Sequence, residues 1–453
     1  MITTDNNGGK SLSEIGGKNS EDLQAIANKS LASLQKDNPD LLVFPPKLGQ
    51  YHDDVEKNQI FSLNGDKLRT YNIMGFIGRN DLQLTITSRF AKDDRHDFFL
   101  HHMLGRVLSL NIVNLDTGSD PTSIQDFLPY LFPTYFRKAM AQGIFKQYRR
   151  NEYNDANLRG TVDVTRHIRF NIPFAGKIAY TTREYSYDNS MTELLRHTIE
   201  RLRVSSMFSP VLSSDPDMRS DVQKIIDHTP SYNRNDLRKV IEKNRKPVRH
   251  PYFTEYLPLQ RLCLQILGRK KLSFGADKNK IHGLLFDGAW LWEEYLNTIL
   301  KADFNHPRNK TKEGREYLFY DEERRAPAQE IYPDFISKDG TIVADAKYKH
   351  LETENEKKRT EKNGNEDYFQ IIAYMHRFDS KHGFLLFPYS ETPAGKNPFI
   401  KKYMIQGKNK VYDPGQNRGI VTILGLVIPQ QSDSMGNFRE QIRKNEDRIR
   451  IAL

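Results

Sequence analysis

The sequence predicts an α+β multidomain protein, with a β-rich and helical N-terminal half followed by a C-terminal α/β domain. Three observations lead there. Short alternating runs such as "LRTYNIMGFIG" and "LQLTITSRF" are separated by the turn signals "NGD" and "GRND", the spacing of strands joined by tight turns. Apolar residues at helical spacing then take over, as in "SMTELLRHTIERLRVSS". The last part alternates helix and strand, ending in the buried-strand patterns "GFLLFPY" and "GIVTILGLVIP".

Taken in order, residues 1–37 are polar and rich in Gly, Ser and Asn, which predicts a flexible extension carrying one short helix. They contain "GGKS" (Gly8 to Ser11). Thr4 stands where the first glycine of G-x-x-x-x-G-K-[ST] belongs, and no strand leads in, so this chain is not expected to hydrolyse a nucleotide. Residues 38–118 form the β-rich region. Residues 119–270 are mixed and helical: helical patterning in "SIQDFLPYLFPTYFRKAMAQGIFKQY" and "SMTELLRHTIERLRVSS", strands expected in "LRGTVDVTRHIRFNIPF" and "KIAYTTREYSY", and a further amphipathic helix ending near Lys270. "KKLSFGADKNK" reads as a linker into residues 271–453. There a helix is expected at 287–302, then a hairpin, a charged loop "HLETENEKKRTEKNGNE" and a helix at 365–378.

Composition bounds the function. Lys and Arg total 68 against 58 Asp and Glu, a net charge of +10, and such a balance favours a polyanionic partner. Cys263 is the only cysteine, which excludes an internal disulfide and a cysteine-based zinc site. No apolar run approaches the ~18 residues of a membrane span, and the N-terminus lacks a signal-peptide core. A soluble cytoplasmic protein without a membrane partner is expected.

The chemistry concentrates in "IYPDFISKDGTIVADAKYK", residues 331–349. Asp339-Gly340 is a hairpin-turn signal, because Asp-Gly readily adopts the positive φ angles of a two-residue type I′ loop. Such a loop pairs Lys338 with Thr341. Counting outward residue by residue, it sets Asp334 opposite Asp345, with Cβ atoms roughly 5 Å apart. Two like charges in that position destabilise a sheet, and a divalent cation between them removes the penalty. Mg²⁺ suits the pair, since it prefers carboxylate oxygens and keeps several waters. Lys347 shares Asp345's face of the strand while Ala346 points away. Its ammonium would orient a nucleophile or stabilise charge on a phosphodiester.

Two helices add candidates. In "FDGAWLWEEYLNTIL", Ala289, Glu293, Leu296 and Leu300 fall on one stripe. Glu293 is therefore expected among apolar neighbours, where an uncompensated charge is costly; Glu294 could equally be the functional acid. In "EDYFQIIAYMHRF", Gln370 and Tyr374 lie at i, i+4 on one side of a helix, placed to contact substrate phosphate or to buttress the lysine.

Together these residues resemble the PD-(D/E)xK nuclease superfamily: an acid on a helix, Pro333-Asp334, Asp345-Ala346-Lys347, then Gln370 and Tyr374. More narrowly the chain resembles the McrC family, the nuclease subunits of McrBC-type restriction systems specific for 5-methylcytosine. That likeness rests on "LFDGAWLWEEYL", "YPDF", "VADAKYK" and "DYFQIIAYMHRF" at the C-terminal end. N-terminally it rests on "MGFIGRNDLQLTITSRF", "FFLHHML", "GIFKQYRRNE" and "RGTVDVTRHIRFN…YSYDNSMTELLRHTI". It covers roughly residues 60 to 430. The resemblance implies a restriction-endonuclease-like domain at 271–453 in which Asp334 and Asp345 bind Mg²⁺, Glu293 completes the acidic cluster and Lys347 assists the attacking water. Gln370 and Tyr374 match the helix after the core motif. It also implies docking on a McrB-like hexameric AAA+ GTPase, which binds the GTP, and action on double-stranded DNA. The N-terminus is longer and more polar than the family pattern, and the charged loop before the Gln370 helix is an insertion.

Outside the motif, Arg238, Lys239, Lys243, Arg245, Lys246 and Arg249 form a basic stretch that is a candidate DNA-backbone surface. The function expected is a Mg²⁺-dependent endonuclease subunit of a GTP-driven restriction complex that also stimulates its partner's GTPase, with the β-rich region 38–118 as the docking site. The competing readings are a catalytically silent adaptor that activates an AAA+ GTPase, and a stand-alone structure-specific nuclease.

Overall fold

The computed structural model describes residues 1–38, 41–44, 59–91, 97–107, 128–205, 208–213, 216–268, 281–307, 314–350, 365–390, 399–406 and 419–453. The chain divides into two units. One comprises Met1–Ile112, Gly118–Gln125 and Gly275–Leu453, the other Val113–Thr117 and Asp126–Phe274. The architecture is mixed α and β, with several sheets. The expected linker 270–280 and most of the charged loop 350–366 lie outside the described residues.

In the first unit, a five-stranded sheet runs in the order Ile2–Thr4, Leu82–Thr87, Ile73–Arg79, Ile281–Asp287, Leu41–Phe44. Ile281–Asp287 is antiparallel to Ile73–Arg79 and parallel to Leu41–Phe44. Residues distant in sequence thus share one sheet. Gly75 makes that contact possible: its φ is +133°, and a Cβ there would lie 2.0 Å from the Leu284 carbonyl oxygen. Deleting residues 38–118 would remove both neighbours of Ile281–Asp287, so that region is not detachable from the strand leading into the Glu293 helix.

The N-terminal segment differs from expectation. Residues 1–37 are not a flexible extension: they contribute strands Ile2–Thr4 and Lys10–Ser11 and helices Glu21–Ile26 and Leu31–Asp37. Ser20 and Ser30 cap the two helices, accepting from the backbone N–H of Leu23 and Ser33. Leu12, Leu23, Ile26, Leu31 and Leu34 are buried in one core with Ile77, Leu84, Ile281 and Leu285. Two short helices, each with only one apolar edge, keep the composition polar while anchoring the segment.

A six-stranded sheet in the same unit has the order Phe304–Asn305, Phe335–Ser337, Ile342–Ala346, His382–Ser390, Ile420–Ile428, Phe399–Met404. The central strands Ile342–Ala346, His382–Ser390 and Ile420–Ile428 are parallel. Helix Asn365–Arg377 lies between the first two in sequence, the crossover that parallel neighbours require. It packs Ile371, Tyr374 and Met375 onto Val343, Leu385, Phe387, Val421 and Ile423. Phe335 pairs with Ala344 and Ile336 with Val343, the register deduced from the sequence. The turn is different. Gly340 N–H donates to the Ser337 carbonyl at 2.9 Å, and Gly340 takes φ +73° while Asp339 takes no positive φ. The Asp339 carboxylate accepts from the Ser337 hydroxyl and from the Thr341 amide and hydroxyl, so a four-residue loop, 338–341, replaces the type I′ turn.

The second unit packs helices Leu128–Ala141, Ser190–Val204 and Tyr256–Leu267 through Leu131, Phe132, Phe136, Leu194, Ile199, Leu259 and Leu262, all buried. An antiparallel sheet has the order Gln147–Asp155, Ile178–Ser186, Thr161–Val162. The strand expected in "LRGTVDVTRHIRFNIPF" reduces to Thr161–Val162. Asp163 then accepts from Arg166 N–H and caps helix Val164–Phe170, which buries no residue. The Val/Thr alternation read as a strand yields to that cap. Among the described residues no helix is long and apolar enough to cross a membrane.

Candidate active site

Asp334 ends the approach to strand Phe335–Ser337 and Asp345 lies within strand Ile342–Ala346, one step beyond the Phe335–Ala344 pair. Both are buried, 9% and 2% exposed. Asp334 Oδ2 accepts the Ala346 N–H at 2.8 Å, tying the two strand ends together. Asp345 Oδ2 lies 2.6 Å from Lys347 Nζ, a contact that is an ion pair rather than an aligned hydrogen bond. Lys347 Nζ donates to Gln370 Oε1 at 2.8 Å, Gln370 Nε2 donates to the Tyr374 hydroxyl at 2.7 Å, and Tyr374 donates to the Tyr332 carbonyl at 3.1 Å. The spacing of Gln370 and Tyr374 on one helix face thus produces a chain of donors that fixes the ammonium. The Lys347 N–H donates to the Leu386 carbonyl at 2.9 Å, which holds the residue just past the end of its strand.

The two helix glutamates have different neighbours. The buried face of Gly288–Leu300 is Leu291, Trp292, Tyr295, Leu296, Ile299 and Leu300. Glu293 is half-buried at the edge of that face rather than within it, because the stripe is rotated from the one expected. Its charge acts on Asp334. Glu294 instead faces His306, with Oε1 3.8 Å from Nε2. His306 Nδ1 donates to the Asp334 carbonyl at 2.7 Å and its ring stacks on Phe335 at 4.8 Å.

The electrostatics follow from crowding acids in a buried place. Burial first, then the Glu293 charge, pushes Asp334 up to about 7, against the Ala346 N–H, Lys347 and His306. Burial and then Asp334 push Asp345 up to about 7, against Lys347. Burial acts to lower Lys347, but Asp345, Asp334 and Asp367 outweigh it and its pKa is raised. The lysine is a fixed cation and the aspartates are reluctant anions.

This donor set fits a hard cation. Two buried carboxylates share one location, and Asp345 Oδ2 has no hydrogen bond among the described residues. Among those residues no three His, Cys, Asp or Glu form a ready-made cage; Mg²⁺ needs none, being commonly held by one or two carboxylates, waters and substrate phosphate.

Sequence spacing missed several supporting residues. Asp367, three residues before Gln370 on the same helix face, lies 3.7 Å from Lys347 Nζ and also pairs with Lys349; helical spacing could have found it. Nothing local points to His306 or to the anchor of Tyr348. That buried tyrosine, next to Lys347, shares a hydrogen bond with the Ser88 hydroxyl at 2.8 Å and lies under the Arg89 guanidinium, 4.9 Å from the ring centre. Arg89 in turn binds Asp5 and Asn72, so the N-terminal segment holds the residue after the lysine. Arg238, Lys239, Lys243, Arg245, Lys246 and Arg249 lie in the second unit on and after helix Leu237–Asn244. All six are exposed, and Arg245 pairs with Glu242 at 3.0 Å.

No curated protein matches the chain. Among solved structures, one described as a refined half-complex from a tetradecameric assembly of Thermococcus gammatolerans McrB AAA+ hexamers with bound McrC is similar at 14% identity. There the similarity covers 98% of this chain and 99% of that one, with a TM-score of 0.44. A cryo-EM structure of the Thermococcus gammatolerans McrBC complex is similar at 15% identity, over 66% of this chain and 87% of that one, with a TM-score of 0.30. The family model for the McrBC 5-methylcytosine restriction system component matches residues 68–388, most of the chain including both aspartates and the lysine, and the protein belongs to that family.

Proposed function

We propose that this chain is the McrC-type subunit of a GTP-driven, modification-dependent restriction complex: a Mg²⁺-dependent endonuclease of the PD-(D/E)xK type, cutting double-stranded DNA in the cytoplasm. The observation that carries the reading is the buried Asp334–Asp345 pair with Lys347 2.6 Å from Asp345 and held by Gln370. A structural role explains it poorly, because two opposed buried acids cost stability unless a cation joins them.

Asp334 and Asp345 would hold the Mg²⁺, with Glu293 adding negative charge beside them. The ion supplies activation of a water and neutralisation of charge on the phosphodiester. Lys347, protonated throughout the physiological range, presents its ammonium where a water or a phosphate oxygen would lie. Gln370 and Tyr374 fix its direction, so little reorganisation is needed when charge develops. The Ala346 N–H keeps Asp334 oriented, and Trp292 Nε1 donates to the Leu386 carbonyl at 3.2 Å, bracing the strand beside Lys347.

The partner proposed is a McrB-like AAA+ GTPase hexamer whose GTP hydrolysis this chain stimulates. The chain has no phosphate-binding loop of its own, and a family of restriction components supports shared labour. Omission tests the reading. Chain, partner, Mg²⁺ and GTP together should cut modified plasmid DNA, and withholding any one should stop cutting. Efficient degradation by the chain alone with Mg²⁺ would replace this account with a stand-alone nuclease.

A further inference from the structure

The second unit contains a cleft of about 530 Å³ whose lining includes Lys146, Lys243, Lys246 and Arg249 and, among the described residues, no Asp or Glu. Lys243, Lys246 and Arg249 are exposed and form no ion pair among the described residues. Lys146 rests against aromatic faces, 4.2 Å from the Tyr187 ring centre and 5.6 Å from that of Tyr185. On the same wall Tyr148 and Tyr185 are direct cross-strand partners, with ring centres 5.0 Å apart and planes at 42°. They are 58% and 49% exposed.

Four cations around one concavity repel one another, and a ligand carrying several negative charges relieves that repulsion. The tyrosines narrow the class. A cross-strand pair aids strand pairing wherever it sits, but these two half-exposed rings also line the cation-bearing cleft. Exposed flat rings beside Lys and Arg are the combination that binds single-stranded nucleic acid, phosphates on the cations and bases on the rings. A duplex hides its base faces, and an acidic protein surface has none to stack.

We propose that this cleft holds an unpaired stretch of DNA strand, its phosphates against Lys146, Lys243, Lys246 and Arg249 and a base against the Tyr148–Tyr185 pair. This rests on the reading that the chain works on DNA and goes beyond it, since duplex cleavage alone requires no such cleft. Of the six basic residues singled out in the sequence, three line it; Lys146 and the tyrosines come from elsewhere in the chain.

The test uses the full-length chain in EDTA, so that binding is read without cutting. An oligonucleotide of about 15 nucleotides carries a terminal dye for anisotropy and an internal 2-aminopurine to report stacking. Wild type should bind the strand more tightly than a duplex of equal length and quench the 2-aminopurine. Tyr148→Ala with Tyr185→Ala should weaken binding at least about tenfold and abolish the quenching. Lys243→Gln with Lys246→Gln and Arg249→Gln should flatten the slope of log affinity against log salt by about 2, at ~0.7 per single-strand contact. Melting curves verify that each variant folds. Unchanged quenching in the tyrosine variant, an unmoved salt slope, or equal affinity for duplex would overturn the proposal. So would displacement of the strand by polyglutamate as effective as by unlabelled strand, which would assign the cleft to an acidic protein. If a chain that passes this test does not cut modified plasmid DNA when assembled with partner, GTP and Mg²⁺, that counts against the nuclease reading alone.

Discussion

The two basic centres of this protein are built in opposite ways. In the first unit Lys347 is largely enclosed, 2.6 Å from a buried carboxylate, and oriented by Gln370. In the second, Lys243, Lys246 and Arg249 are exposed around a cleft whose described lining contains no acid. The difference separates two uses of positive charge. A buried, hydrogen-bonded ammonium has its direction set before any ligand arrives, which is what stabilising a reaction requires. Exposed cations without carboxylate partners are free to exchange counterions for phosphates, which is what gripping a polyanion requires. Salt should therefore weaken the second centre far more than the first, because exposed charges are screened and buried ones much less so.

Lys347→Ala is the substitution that sharpens this contrast most. It should lower the cleavage rate by about a hundredfold or more, the usual cost of removing a preorganised charge, while calorimetric Mg²⁺ affinity does not fall, since the ammonium competes with the ion for Asp345. Reduced Mg²⁺ affinity with the rate intact would mean that the lysine organises metal rather than chemistry.

A smaller effect is expected one residue on. Tyr348→Phe removes the hydroxyl that meets Ser88 in a buried place and should cost about 1 kcal/mol of stability. As a positioning residue it should also lower the cleavage rate severalfold without changing Mg²⁺ affinity. An unchanged rate would disconnect the N-terminal anchor from the site.

The mildest test needs no ligand. Asp334 and Asp345 sit near 7 in the folded chain against 3.8 ordinarily, so between about pH 4 and 7 the folded state binds more protons than the unfolded one, and stability falls as pH rises. The melting temperature of metal-free protein should drop across that window, Asp345→Asn should flatten the drop, and Mg²⁺ should restore stability at pH 7. A wild-type profile identical to that of Asp345→Asn would mean that the acids do not burden each other.

What was legible in the sequence was local. The hairpin register follows from strand alternation and an Asp-Gly signal, and it set Asp334 against Asp345 even though Asp339 turned out to cap Ser337 and Thr341 instead of entering a type I′ turn. Lys347, Gln370 and Tyr374 follow from strand and helix spacing. The different neighbours of Glu293 and Glu294 follow from the helix rotation, which depends on what Trp292 and Tyr295 pack against. His306, Asp5 and Arg89 were invisible because only tertiary folding brings them near residues far along the chain. The fold of the first 37 residues is hidden in the sequence because a handful of buried leucines and isoleucines is diluted by polar neighbours. The basic stretch showed its charge but not its cleft, whose tyrosines come from strands Gln147–Asp155 and Ile178–Ser186.

Whether the paired aspartates are the cutting centre is decided by Asp345→Ala assembled with the partner GTPase, GTP and Mg²⁺ on modified plasmid DNA. Cleavage should fall by about a thousandfold while assembly and stimulated GTP hydrolysis match wild type. Wild-type cleavage by that complex would contradict it.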